Sequence, residues 1–137
     1  MADGRADRPG VSARDLLLYA GAAFTLVVGV VHVQQYLDFI ADVPTIGELF
    51  LLNGLGAGVI TILLSTRLRL LGALAGIGLS AGALVSILIS RYAEKGLFEY
   101  VEPTLRTPVL ISVIAEIAAV LALSAYVVRS RQSRHSP

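Results

Sequence analysis

The sequence predicts an all-α membrane protein, a bundle of four transmembrane helices with both termini cytoplasmic. Three observations predict it. Charged residues make up only 15% of the chain and hydrophobic ones 55%, whereas a soluble domain carries about 25% charged residues. The apolar residues fall in four runs, each close to the ~20 residues that cross ~30 Å of hydrocarbon in a helix. The basic residues gather on one side of those runs.

Residues 1–14 are polar, contain Gly4, Pro9 and Gly10, and have no apolar periodicity. They read as a flexible cytoplasmic tail. A membrane domain follows over 15–128, with helices expected at about 16–36, 46–65, 70–90 and 108–128. Backbone groups in lipid must pair within their own segment, so runs of this length must be helical. Pro108 stands where a first helical turn tolerates proline. Residues 129–137 form a second, basic cytoplasmic tail. Arg5, Arg8 and Arg14 mimic the basic start of a signal peptide. The first apolar run is too long for one, and no small-x-small cleavage site follows Tyr36.

Orientation follows from charge. Eight of the eleven Lys/Arg lie before the first run, between the second and third, or after the fourth: Arg5, Arg8, Arg14, Arg67, Arg69, Arg129, Arg131 and Arg134. The other side holds Arg91, Lys95 and Arg106 against six acids, Asp38, Asp42, Glu48, Glu94, Glu99 and Glu102. By the positive-inside rule the arginine-rich side is cytoplasmic. Tyr36, Phe39, Phe50, Tyr92, Phe98 and Tyr100 mark the outer interface, with Tyr19 and Tyr126 near the inner one.

Apolar side chains gain nothing by leaving lipid for one another, so packing must come from close backbone approach and buried polar contacts. Steps of three and four place Gly21, Thr25, Gly29, His32 and Tyr36 on one face of helix one. Helix two offers Phe50, Asn53, Ala57 or Gly58, Thr61 and Ser65, and helix four Ser112, Ala115, Glu116, Ala119 and Ala122. Helix three has two small-residue faces, Gly72–Gly76–Ser80–Ala83 and Gly78–Gly82. That pattern fits either a central helix or one that keeps a second surface for oligomerisation.

Three polar side chains stand inside the expected spans: His32, Asn53 and Glu116. Counted from the outer helix ends, each lies roughly 6–12 Å deep at about 1.5 Å per residue. Similar depth on three inward faces predicts one shared cluster, with Gln35 and with Ser86 or Ser90 as further members. An ionised carboxylate in lipid costs several kcal/mol, so Glu116 should be protonated or paired with a donor such as His32 or Asn53. It is either a proton or cation site or a buried anchor. A haem or metal role for His32 would need a second ligand in the membrane, and His135 lies in the tail, so no cofactor and no metal site are expected. With no cysteine, thiolate metal sites and dithiol chemistry are excluded. Asn53–Gly54–Leu55–Gly56–Ala57–Gly58 has the glycine spacing of a phosphate loop, but no strand precedes it. An interhelical hydrogen bond from Asn53 is expected instead.

The connection 91–107 mixes Leu97, Phe98, Tyr100 and Val101 with charges. It is expected to lie along the interface as a short helix ending before Pro103; the alternative is a lid over the cluster.

The run Gly47–Glu48–Leu49–Phe50–Leu51–Leu52–Asn53–Gly54–Leu55–Gly56, following a first helix that carries His32, resembles a pattern in small, uncharacterised prokaryotic four-helix membrane proteins. The resemblance covers helices one and two. It implies that fold and a multi-pass place in a bacterial or archaeal plasma membrane, and no activity. Small multidrug exporters match in size but carry their essential glutamate in the first helix. Membrane thiol oxidoreductases need cysteine pairs. The expected function is therefore non-enzymatic: an accessory or structural protein, acting as a complex subunit or homo-oligomer in the lipid bilayer, without a nucleic-acid partner. The alternative is a proton- or cation-coupled transporter of a small solute that uses Glu116.

Overall fold

The computed structural model describes residues 10–133; Arg5, Arg8, Arg134, His135 and the outer parts of both expected tails lie outside them. Four helices, each long and apolar enough to cross a membrane, make up the fold: α1 Ala13–Gln35, α2 Ile46–Leu64, α3 Arg69–Tyr92 and α4 Thr107–Gln132.

Helix α1 starts three residues before the apolar run because Ser12 caps it. The Ser12 hydroxyl accepts from the Asp15 backbone N–H at 3.1 Å and donates to the Asp15 carboxylate at 2.6 Å, so two groups at the helix start are satisfied locally. At its far end α1 widens into a π-helical turn, Tyr36–Ile40, closed by the Ala41 N–H on the Tyr36 carbonyl at 3.0 Å. Helix one, expected to end at about residue 36, thus runs on to Ile40. Gly47 lets α2 turn back close to α1, since a Cβ there would sit 2.7 Å from the Ile40 carbonyl oxygen. Helix α4 continues through 129–132, residues expected in the tail. Arg129 and Arg131 fall in its last turn, where cations oppose the negative end of the helix dipole.

Short connections force an up-and-down order. The helices form a ring in chain order, with α1 and α3 touching across the diagonal and α2 and α4 at opposite corners. Arg14, Arg67, Arg69, Arg129 and Arg131 stand at one end, the terminal end, and the connections 41–45 and 93–106 at the other, the loop end.

In the terminal half the helices meet closely. Leu18, Ile60, Leu64, Ala73, Leu123 and Tyr126 form its core. Gly76 is its centre: a Cβ there would meet Leu123 of α4 at 2.7 Å, Ile60 of α2 at 3.3 Å and Thr25 of α1 at 3.7 Å. Gly21 packs directly on Leu123, and Gly72 on the α2 backbone at Leu64. The first glycine face of α3 is therefore an inward face. The second is not: Gly78 and Gly82 have no neighbour within 4 Å of a Cβ position. On α2 the buried position is Ala57 and not Gly58, which also meets nothing within 4 Å. The α2 face turns accordingly: Gly54, Ala57, Ile60 and Leu64 are buried, and Ser65 is exposed.

Candidate functional site

The loop half encloses a cavity of about 350 Å³. His32 and Gln35 of α1, Asn53 of α2, Ser86 and Ser90 of α3, and Ser112 and Glu116 of α4 all line it, together with apolar residues such as Leu49, Phe50 and Leu79. The structure thus brings all three candidate residues onto one space, with the three further polar residues expected beside them.

His32 and Glu116 are both buried there, 6% and 3% exposed. The His32 Nδ1 lies 2.9 Å from the Val28 carbonyl oxygen. A carbonyl only accepts, so Nδ1 carries a hydrogen. The other nitrogen, Nε2, then faces Glu116 Oε1 at 3.8 Å across the α1–α4 seam. With neutral imidazole and ionised carboxylate, two lone pairs would oppose each other in a space of low dielectric. The arrangement is favourable when the pair holds one proton, on either partner. Ser112 supports Glu116 from within α4, donating to Oε1 at 2.9 Å.

Ser112, His32 and Glu116 contain the residue types of a nucleophilic triad, but the geometry is reversed. The nitrogen nearest the Ser112 oxygen, at 3.4 Å, is Nδ1. That nitrogen already donates to Val28 and cannot take the serine proton. A general base must offer a lone pair to its nucleophile. This histidine offers a hydrogen.

Asn53 departs from expectation. Its Oδ1 is buried without a hydrogen-bond partner, and it bonds neither His32 nor Glu116. The reason is rotational: the α2 face turned to α1 runs through Gly54 and Ala57, where Gly54 packs against Val33 and Gly29. Asn53 is left one position round the helix, facing the cavity. Glu116 likewise takes its hydrogen bond from Ser112 of its own helix.

The expected interfacial helix in 91–107 does not form. The chain leaves α3 at Tyr92 and makes a two-residue hairpin, Leu97 and Tyr100 exchanging both backbone hydrogen bonds at 2.9 Å. Phe98 and Glu99 occupy its tip at φ 49° and 66°, with Gly96 also at φ 66°; left-handed backbone at non-glycine residues is costly and ends a helix. Leu97, Tyr100 and Glu102 turn down to line the cavity while Phe98 and Val101 stay exposed. The segment is a roof. Ser90 fastens it, its hydroxyl donating to the Tyr100 carbonyl at 3.0 Å and accepting from the Glu102 N–H at 3.1 Å. Glu102, 5% exposed, accepts from the Tyr100 phenol at 2.8 Å, with Arg106 Nη2 3.7 Å from its other oxygen. The Arg106 guanidinium in turn lies 4.7 Å above the Phe39 ring. Burial and the Glu102 carboxylate push the Tyr100 phenol up to about 12. Sequence reasoning counted Glu102 only as an outer charge. The Tyr-x-Glu-x-x-x-Arg spacing, with its i,i+4 acid–base pair, was the available signal.

Among the described residues, no group of three or more His, Asp or Glu is placed to hold a metal ion. Fold and site together define a class: an all-α, four-helix protein of membrane-spanning helix length and hydropathy, with a roofed, largely apolar cavity in its loop half that holds a few polar side chains. No family model, curated protein or solved structure matches the chain.

Proposed function

We propose that this is a small multi-pass protein of a prokaryotic plasma membrane that binds a small solute in the loop-half cavity, coupled to a proton held by His32 and Glu116. The observation that carries it is the facing of Nε2 and Oε1 at 3.8 Å inside a cavity that the chain does not fill. Polar residues that serve only assembly bond each other across helices. Here Asn53 Oδ1 has no partner, Glu116 accepts from Ser112 of its own helix, and the contacts across the α1–α4 seam are long, His32 Nδ1 to Ser112 Oγ at 3.4 Å and His32 Nε2 to Glu116 Oε1 at 3.8 Å. The reversed Ser112–His32 geometry supports a non-enzymatic reading.

The charged and titratable groups on this cavity are few. α1 contributes His32, α4 Glu116, the roof Tyr100 and Glu102; α2 and α3 present only neutral side chains there. A proton that the cavity exchanges and that Glu116→Gln abolishes therefore belongs to the His32–Glu116 pair. The test is the carboxyl infrared band of the protein in lipid nanodiscs, wild type against Glu116→Gln. A band that titrates with pH and vanishes in a normally melting Gln variant is the expected result. A band that does not titrate overturns the proton-coupled reading. Glu116→Ala is a poorer variant, because it leaves the Ser112 hydroxyl and His32 without their acceptor and should cost about 1–3 kcal/mol under either reading.

The arginine bias supports a cavity on the outer side of the membrane, both termini being cytoplasmic. A membrane-impermeant thiol reagent on intact cells should label Lys95→Cys and spare Ser133→Cys; the opposite pattern inverts the topology.

A second reading, a subunit of a homo-oligomer or larger membrane complex, is favoured by one feature. A shallow apolar furrow between α1 and α2, lined by Leu26, Val30, Leu37 and Gly58, is filled by none of the described residues. Gly58→Trp should dissociate an assembly that uses this furrow and leave a monomer unchanged, as read by mass in nanodiscs.

A further inference from the structure

We infer that the solute is a small amphiphilic ammonium ion, a protonated amine on a single apolar ring or short chain, and that it enters sideways from the bilayer between α2 and α3. The inference rests on the solute-binding reading above and adds to it the ligand class and the route. The interior asks for donors. Two carboxylates line it, Glu102 and Glu116, each at least nine-tenths buried. Two oxygen acceptors there, Asn53 Oδ1 and Glu102 Oε1, have no hydrogen bond. Among the described residues no lysine or arginine lines the space; the Arg106 guanidinium stands beyond Glu102 and reaches it only at 3.7 Å. An anion would meet carboxylates and unpaired acceptors, and a neutral alcohol could satisfy only one of them. An ammonium brings three N–H donors and the charge that Glu116 lacks. Aryl or alkyl bodies suit the rest, where Phe50 packs on the His32 ring at 4.9 Å. About 350 Å³ is near the lower end of small-molecule pockets, which limits the body to roughly one ring.

The route follows from what closes each side. Toward water the roof is tied down by Ser90 at both Tyr100 and Glu102. Toward the α2–α3 seam the wall is thin: Leu52 is 63% exposed while lining the cavity. Opposite it Gly78 and Gly82 line the cavity with open space where a side chain would be. A ligand with an apolar body partitions into lipid first and reaches Glu116 through that gap. As it binds, its ammonium takes the place of the proton on the His32–Glu116 pair, and that proton leaves to water.

The experiment uses the full chain in nanodiscs and three fluorinated probes of one shape: 2-(4-fluorophenyl)ethylammonium, 3-(4-fluorophenyl)propionate and 2-(4-fluorophenyl)ethanol. Fluorine NMR reads saturable binding above that of empty discs. The ammonium should bind at least about tenfold more tightly than either isostere, and Glu116→Gln should abolish that preference, as expected when one partner of a buried charge contact is removed. Gly82→Leu, whose side chain has room, should slow association at least about tenfold at unchanged melting temperature, and Phe39→Leu, which removes the ring under Arg106 at the roof and lies outside the cavity lining, should leave the rate alone. Equal or tighter binding of the propionate overturns the ligand class. Absence of saturable binding by all three, with the Glu116 band still titrating, overturns the ligand class and leaves proton coupling standing. A loss of that titration strikes the underlying reading instead. Faster association in Phe39→Leu with no effect of Gly82→Leu overturns the lateral route.

Discussion

The two halves of this bundle solve the same packing problem in opposite ways. In the terminal half, glycines stand where helices meet, and Gly76 brings α3 against all three of its neighbours at once. On the other face of α3, Gly78 and Gly82 face no side chain, and the space beside them, opening toward the loop half, holds His32, Asn53 and Glu116. The same residue type therefore means close approach on one face and an open wall on the other. Residues 76 and 78 are about 200° apart on a helix, which is enough to reverse the role.

The strongest way to break this comparison is to load both glycines equally. Gly76→Leu should lower stability by about 3 kcal/mol or more, since overpacking at a site closed on three sides has nowhere to relax. Gly78→Leu should change it by less than about 0.5 kcal/mol, as substitutions outside packed contacts do. Detergent melting of the two variants is the measurement, and equal losses would mean that the halves are not different.

Asn53 sharpens the contrast. A polar residue acting as interhelical glue is missed when replaced. Asn53 Oδ1 is buried and unpartnered, so Asn53→Leu, of similar shape, should raise stability by about 1 kcal/mol. The same variant should weaken any solute binding. A drop in melting temperature would show that the residue has an assembly role.

The smallest effect concerns the roof. The Tyr100 phenol is raised from 10.0 to about 12 by burial first and the Glu102 hydrogen bond second. A raised folded-state value means that the folded protein holds this proton more tightly than the unfolded chain. Its contribution is fully present below about pH 10 and is lost as pH rises toward about 12. Tyrosinate absorbance should show one late-titrating phenol, which Tyr100→Phe removes. A single transition near pH 10 for every tyrosine would mean that the roof does not shelter this one.

Much of the molecule was legible in one dimension. The four runs, their order and the arginine bias all depend only on local composition. The inward stripes of α1 and α4 read correctly at Gly21, Thr25, Gly29 and His32, and at Ser112, Ala115, Glu116 and Ala119, all of which are buried. The start of α1 was legible too, in the Ser12-x-x-Asp15 cap, but the polar tail around it masked the signal. Phe98 and Glu99 gave no warning of a hairpin tip, because neither residue favours the left-handed backbone it adopts there.

What the sequence determined by itself was therefore the number of helices, their order, and the level at which His32, Asn53 and Glu116 stand. Hydropathy and helical rise are properties of a single segment, and each can be read along the chain. The tertiary structure decided which seam closes and which stays open. Ala57 and Gly58 differ by only 100° of helix rotation, and nothing within α2 chooses between them. The choice is made where Gly29 meets Ala57 and Gly54, and that contact swings Asn53 into the cavity. Rotation about a helix axis is fixed by the neighbouring helices, so the site's chemistry had to wait for their arrangement.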